Sequence, residues 1–395
     1  MKVIKDALGY ATENLRADRK FYIYCFVLMI IAGVGLSGAV TALAEGHVHS
    51  NMSDMVPWGI LISGLAFFIG LSAGATMVGL LIHGFGRDDY HPIGTRAILV
   101  GMMCIFAAMG CVMMDVGNPF RAMKIPFLLR NETSMFFISS SSYMGFTVLL
   151  IAELVSTIYV TIGKASRRGK KIAKVLGIIA VPYALIVVHS FTGTIFGVVK
   201  AREMWNTPML PVHFVTSALA SGFALVILVT IITSWINRKD LVSRETYNHM
   251  GIMLCFFLIA TTFLDTFDYL ILSYSGTAEG LETWHIFTGR YLPTFLINMV
   301  GLYVALTMTA FKKLRTPTGL FISTIVTIIA IGAYRINLIS IAQLIPLYHE
   351  LGEIQYVPNM HEVAPLIGLT AALMLLFSIL TKVLPLEDKV HINNE

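Results

Sequence analysis

Ten stretches of about 20 residues, each nearly free of charged side chains, dominate the sequence and are long enough to cross a bilayer as α-helices. They start near Tyr22, Pro57, Gly94, Ser141, Ala173, Met209, His249, Tyr291, Thr318 and Glu362. The composition agrees, because only 13% of the 395 residues are charged and 56% are apolar. Soluble domains carry about a quarter of charged residues. The chain is therefore predicted to be an all-α polytopic membrane protein with about ten transmembrane helices.

The rest of the chain is short. An N-terminal tail of about 20 residues and brief loops leave no room for a separate soluble catalytic domain. The first apolar run, Phe21–Ala44, is too long for a cleavable signal peptide, so we expect it to stay in place as helix one. The net charge of +5 is spread among helix ends, which favours bilayer anchoring over binding of nucleic acid.

The distribution of positive charge predicts the topology. When the loops are counted alternately from the N-terminus, one face collects 21 of the 28 lysines and arginines and the other face collects 7. By the positive-inside rule, both termini are expected in the cytoplasm and the odd-numbered loops outside. The outer loops are the longer and less basic ones, so we expect a partner protein to dock there.

A weak internal repeat predicts how the helices are grouped. Helix two carries the sequence from Leu71 to Ala75, and helix six carries a similar small-residue run from Leu219 to Phe223. Gly74 and Gly222 are 148 residues apart, and small residues at helix interfaces allow close packing. The repeat favours two four-helix bundles, helices 2–5 and 6–9, with helices 1 and 10 outside them. The corresponding divisions are a tail at 1–20, helix one and its loop at 21–56, the bundles at 57–200 and 201–345, and the last loop and helix at 346–395.

Few titratable residues lie inside the apolar segments, and each is a candidate functional group because burying it in a bilayer is costly. Counted from the predicted helix ends, Glu153 and His189 lie at a similar depth, so the two side chains are expected to face each other. A carboxylate and an imidazole at one depth can relay a proton. The alternative is a buried hydrogen-bonded pair that only stabilises the bundle.

Other titratable residues have plainer interpretations. Asp115 ends helix three, where a capped turn with a salt bridge to Arg121 is as reasonable as a functional role. Asp265 and Asp268 share one face of helix seven, and Arg335 is the expected partner in a structural ion pair. The four cysteines lie in apolar segments without a Cys-x-x-Cys pair, and the histidines show no metal-ligand spacing, so no metal site, haem or iron–sulfur cluster is predicted.

Several stretches in order carry a family resemblance. They are Pro57–Gly59 leading into Gly70–Gly74, Tyr90–Pro92 with Arg96, Asp115–Pro119, Pro182 with His189–Thr194, Trp205–Pro211 ahead of Ser217–Gly222, and Val357–Glu362. Their order and spacing resemble the NrfD/PsrC family of quinone-interacting membrane subunits, nearer its ten-helix, HybB-like and DsrP-like branch. The resemblance spans almost the whole chain.

The resemblance implies a membrane-anchor subunit of a respiratory oxidoreductase in the cytoplasmic membrane of a bacterium or archaeon. Such a subunit exchanges electrons between the quinone or menaquinone pool and an iron–sulfur partner on the outer face. That partner is wired to a molybdopterin enzyme, a hydrogenase or a multihaem cytochrome, and the membrane subunit carries no redox metal. The family's acidic residues and histidine map on Asp115, His189, Glu153 and Glu362. In the family this turn usually reads Asp-Leu-Gly-Arg-Pro, and here Val116 and Asn118 replace the leucine and the arginine. A quinone contact from that arginine would have to come from Arg121 here or be absent. His361 stands where the last helix of the family often has tryptophan.

A quinone site needs an apolar slot with a few polar groups and access for protons. We therefore expect the ring in the first bundle near Asp115, Tyr143 and His189, with Ser139 to Ser142 and Gly74 lining the slot. His189 would bond one carbonyl and Asp115 would exchange the proton. Glu153 would begin a path towards the cytoplasm through Thr157 and Ser72.

Two other functions fit the same sequence. Ten helices, a weak repeat and buried titratable groups are also features of secondary transporters. A cytochrome subunit would hold a b-type haem between His189 and a second histidine nearer a helix end, such as His213.

Overall fold

The computed structural model describes residues 19–116, 119–122, 124, 131–202, 204–345, 354–384 and 386. Within them, ten helices are long and apolar enough to cross a membrane. In chain order they are α1 (Arg19–His49), α2 (Ile60–His83), α3 (Asp88–Asp115), α4 (Met135–Thr161), α5 (Arg167–Gly197), α6 (Leu210–Asn237), α7 (Arg244–Ser273), α8 (Leu292–Ala310), α9 (Pro317–Gln343) and α10 (Met360–Val383). The predicted all-α polytopic architecture is confirmed. We call outer the face at which the odd-numbered helices end, which is the face predicted to be external.

The helices form two four-helix bundles. In the first bundle, α2 packs on α3, α3 on α4, α4 on α5, and the inner half of α2 closes the ring against α5. In the second bundle, α6 packs on α7, α7 on α8, α8 on α9, and α9 closes against α6. The bundles meet mainly through α2 and α6, so α2 is buried over most of its length.

Two glycines define the contact between the bundles. A Cβ atom built on Gly222 would lie 2.5 Å from Cα of Gly74, and one built on Gly74 would collide with the carbonyl oxygen of Ala218. No side chain fits at either position, so the backbones of α2 and α6 touch. The two residues that the internal repeat identified are therefore the crossing point of the bundles.

Helices α1 and α10 form a pair outside both bundles. They cross where a Cβ atom on Gly368 would lie 2.7 Å from Cα of Gly35, and α10 also packs on α3. Much of the surface of α1 is apolar and exposed, as with Phe26 and Val34. Such a surface suits contact with lipid chains. Above the crossing, towards the outer face, α1 ends in a tight helical turn at Gly46–His49.

Candidate functional site

His189 lies inside the first bundle on an irregular part of α5. Pro182 cannot donate a backbone hydrogen bond, and the helix continues beyond it as a π-helical turn over Tyr183–His189 before an α-helix resumes at Ser190. The Ser190 hydroxyl donates to the Leu185 carbonyl at 3.0 Å, five residues back. Widened turns of this kind are often found at functional sites.

The imidazole of His189 is fully buried without a paired nitrogen. It faces Gly70 of α2, where a Cβ atom would lie 3.3 Å from its Cε1 atom, and its ring packs 5.6 Å from the ring of Phe214. Among the described residues, neither ring nitrogen meets the geometry of a hydrogen bond. Because an unpaired buried polar group is costly, His189 is a candidate to bind a polar group of a ligand.

Polar groups from α4 lie close to the same part of α5. Thr192, three residues after His189, donates to the Val188 carbonyl and accepts a hydrogen bond of 2.8 Å from the Tyr143 hydroxyl. Ser139, one turn before Tyr143, is buried and its hydroxyl has no partner of hydrogen-bonding geometry among the described residues. Tyr143 and Ser139 of α4 thus lie beside the segment of α5 that carries His189.

Arg335 of the second bundle reaches towards His189. Its guanidinium carbon lies 3.9 Å from the centre of the Phe214 ring, which also contacts the imidazole. Arg335 is buried and donates from Nη2 to Ser217 at 2.7 Å, while Nε and Nη1 have no partner among the described residues. The polar interior of the first bundle therefore continues into the second.

Asp115 lies apart from His189, next to residues of α1 and α10. Its backbone carbonyl accepts a hydrogen bond of 2.7 Å from Nε2 of His47, its Oδ1 atom is buried without a partner in the described part of the chain, and Glu362 is its neighbouring carboxylate. No hydrogen bond among the described residues joins it to His189 or Tyr143. The predicted salt bridge to Arg121 cannot be placed, because that side chain lies outside the described residues.

Glu153 does not face His189, and this expectation was wrong. A Cβ atom on Gly79 or on Gly177 would lie 3.2 Å from Oε1 of Glu153, whereas His189 faces Gly70. Nine residues of α2 separate the two contacts, roughly 13 Å along a helix. The depth was misjudged because α4 begins at Met135, six residues before the predicted start, which moves Glu153 into the inner half.

A cavity lies on the inner side of Glu153. Oε2 of this buried carboxyl has no partner among the described residues, nor has the hydroxyl of Thr157 one turn further on. Thr157 lines a cavity of about 80 Å³ together with His83, His91 and Lys170. Such a volume is enough for several water molecules. Ser72, the other residue of the predicted path, donates to the Gly101 carbonyl at 2.6 Å.

Gly74 lies at the contact between the two bundles rather than beside the polar groups described above. The backbone of α6 fills the space next to it. Its place in the lining of a quinone slot remains a prediction, and its observed neighbours are Ala218 and Gly222.

The second bundle holds a buried polar cluster whose partners differ from those expected. His213 contacts Asp265 through Nε2, and its Nδ1 lies 2.9 Å from both Asp268 and the Tyr334 hydroxyl. Within the described part of the chain, Arg335 forms no ion pair with either aspartate. The predicted Asp–Arg pair is therefore wrong, because His213, only three residues into α6, is covered rather than interfacial.

Asn298 completes the cluster by donating to Asp265 at 2.9 Å. The spacing of Asp265 and Asp268 correctly predicted that both side chains lie on one face of α7, but no pattern in the sequence indicated that His213 is their partner. His47 was missed because its place in the sequence predicted a loop, whereas it lies in the helical turn that ends α1. Within the described ranges, no group of three or more His, Cys, Asp or Glu side chains is arranged to hold a metal ion.

Residues 48–350 match the family described as polysulphide reductase, NrfD. The chain is 26% identical to a selenate reductase subunit of Mesobacillus selenatarsenatis, over 93% of this chain and 95% of that protein. It is 25% identical to the menaquinone reductase integral membrane subunit of Nitratidesulfovibrio vulgaris, over 93% and 92% respectively. It is 26% identical to the Hdr-like menaquinol oxidoreductase integral membrane subunit of Archaeoglobus fulgidus, over 67% and 61%.

Proposed function

Because the chain belongs to the polysulphide reductase NrfD family, we propose that it is the membrane subunit of a respiratory complex that exchanges electrons with the menaquinone pool. An iron–sulfur partner subunit on the outer face takes up or supplies the electrons. Two relatives that carry menaquinone or menaquinol in their names, and a third named as a reductase subunit, support this proposal.

The observation that carries the proposal is His189, a fully buried imidazole whose two nitrogens are unpaired among the described residues, beside the polar groups of α4. A quinone ring is apolar apart from its two carbonyl oxygens, so a site for it needs few polar atoms in an apolar wall. His189 is suited to bond one carbonyl, with Tyr143 and Ser139 nearby. Asp115 is suited to exchange the proton, since its Oδ1 lies at the outer end of α3 without a partner in the described ranges.

A path for protons between the quinone site and the inner, cytoplasmic face forms the second part of the proposal. Reduction of a quinone by two electrons takes up two protons, and the side of the membrane from which they come decides whether turnover moves charge. Glu153, Thr157 and the adjoining cavity provide polar atoms, unpaired among the described residues, in the inner half of the first bundle. They support a path for protons from the inner face.

The test uses the complex purified with its partner subunits and a water-soluble menaquinol analogue. Replacing His189→Ala should lower quinol-linked electron transfer on the order of a hundredfold, the scale of a lost proton-transfer or orienting group. His285→Ala, at an exposed position of the short helix Ala278–Thr288 between α7 and α8, is the matched control and should leave the rate unchanged. A normal rate in the His189→Ala variant would remove this residue from the site.

Asp115→Asn extends the test, because Asp115 and His189 lie against different faces of α2. Loss of activity in both variants supports the full set of site residues. Loss in Asp115→Asn alone would place the ring on the side of α3 that faces α1 and α10. Failure of the wild-type complex to oxidise or reduce any quinol analogue would overturn the proposed function.

A further inference from the structure

The outer ends of α1 and α10 enclose a small cleft beside Asp115. Its apolar lining includes Ala39, Leu61, Met114 and Pro365, and its polar lining includes His47 and Glu362. The crossing of α1 and α10 at Gly35 and Gly368 lies below it, and its volume is about 20 Å³. A cavity of this size with polar partners holds about one water molecule.

The geometry fixes the role of each nitrogen of His47. Nε2 lies 2.7 Å from the backbone carbonyl oxygen of Asp115. A carbonyl oxygen only accepts hydrogen bonds, so Nε2 must carry a hydrogen. Nδ1 is then the acceptor in the neutral ring, and no hydrogen bond of the described residues involves it. His47 therefore holds an available acceptor nitrogen in the cleft while its other nitrogen anchors the ring to Asp115.

The second carboxylate of the cleft is not available for the same task. Glu362 accepts hydrogen bonds from the Tyr356 hydroxyl at 2.7 Å and from the backbone amides of Asn51 and Asn359 at 3.2 and 3.1 Å. Burial first, and then the bond to Glu362, raises the pKa of Tyr356, so its hydroxyl stays protonated and keeps donating. Glu362 thus closes the N-terminus of α10 as part of a capping box.

At the rim of the cleft the other titratable groups are paired with each other. His49 lies 2.7 Å from Glu45, and its ring stacks on that of His361 at 5.4 Å. These groups are exposed to the outer water, whereas Oδ1 of Asp115 is buried. His47 is half-buried and stands between the two environments.

We propose that His47 is a proton-relay residue that connects the carboxyl group of Asp115 with the outer water. This inference rests on the proposed function. When quinol is oxidised, its two hydroxyl protons pass one after the other to the Asp115 carboxylate, and its two electrons leave separately to the iron–sulfur partner. Each proton moves on through a water molecule in the cleft to Nδ1 of His47, and Nδ1 releases it to the outer water before the next proton follows. Nε2 keeps its hydrogen throughout.

Substitution by glutamine separates the relay from the structural bond. The side-chain amide of His47→Gln can still donate to the Asp115 carbonyl, but it cannot take up a proton. The rate of menaquinol oxidation by the purified complex should fall on the order of a hundredfold, the lower end of the effect of a positioned proton-transfer group. His49→Gln, at the exposed rim, is the matched control and should keep the normal rate.

Chemical rescue provides the second readout. In His47→Ala, added imidazole should restore a large part of the lost rate, whereas the wild-type rate should not respond to it. A merely structural role would leave His47→Gln active and His47→Ala without rescue, and that result would overturn the relay.

The same variants distinguish failure of the relay from failure of the proposed function. If the wild-type complex turns over quinol and His189→Ala or Asp115→Asn is impaired while His47→Gln is normal, only the relay fails. If the wild-type complex does not react with quinol at all, both proposals fail.

Discussion

At the level of single residues, the first bundle contains buried polar atoms that lack a partner within the described part of the chain. They belong to His189, Ser139, Glu153 and Thr157. Leaving one such atom unpaired costs about 1–3 kcal/mol, so a set of them in one bundle calls for a ligand, water or a transferred proton. Their order in depth, from Ser139 near the outer end of α4 through His189 to Thr157 near the inner face, agrees with the proposed path of protons.

Replacing Glu153→Gln tests the inner part of this series. Glutamine has the shape of glutamate but cannot release a proton, so the charge movement that accompanies quinone reduction should be lost. Quinol oxidation, whose protons leave to the outer water, should continue. The measurement is a potential-sensitive dye in liposomes that contain the complex, with the oxidation rate followed in parallel. Retention of both activities would exclude Glu153 from the path, and loss of both would show that it supports the quinone site itself.

At the level of elements, the glycine contact between α2 and α6 decides how closely the bundles approach. A side chain on either Gly74 or Gly222 would have to push backbone away, because the nearest atoms belong to the facing helix. This is different from a collision with a flexible side chain, which can move. The π-helical turn of α5 is the second decisive feature, since it ends at His189 next to the same face of α2.

Gly74→Val should destabilise the protein by about 1–3 kcal/mol or more, the range for inserting groups into a packed interior. Gly33→Val is the matched control, because Gly33 is also in a membrane helix and a Cβ atom there meets nothing within 4 Å. Thermal unfolding in detergent, followed by circular dichroism, should show a lower midpoint for the first variant only. Equal midpoints would mean that α2 and α6 are not in contact.

At the level of the whole molecule, the helices form two separate polar regions. The two bundles share the polar interior around His189 and Arg335, whereas α1 and α10 form the outer cleft with α3. The proposed partner requires that the face with the cleft be external. The imbalance of 21 to 7 basic residues between the two faces predicts this orientation.

Cysteine labelling tests the orientation. A membrane-impermeant maleimide applied to intact cells should label Gly276→Cys, in the exposed loop after α7, and should not label Asp240→Cys, in the exposed loop after α6. The second variant should react only once the membrane is opened. The parent chain, with its four native cysteines in membrane helices, gives the background. The opposite pattern would invert the topology and place the cleft of His47 in the cytoplasm.

The grouping of the helices could be predicted, because each piece of information was local. A run of about 20 apolar residues is a transmembrane helix wherever it packs, and all ten predicted starts lie within six residues of the observed ones. The repeat around Gly74 and Gly222 pointed to two bundles, since small residues permit close helix contacts. Membership of the family was also predictable from motifs distributed along the chain.

The pairing of buried polar groups was decided only by the tertiary structure. Asp265 and Asp268 were recognised as a pair from their spacing, but whether Arg335 or His213 contacts them depends on how α6 and α9 are rotated. The depth of Glu153 relative to His189 depends on where α4 begins and on a widened turn in α5. Hydropathy predicts that a segment lies in the membrane. It says little about the rotation or the exact depth of that segment, because these result from the packing of several helices at once.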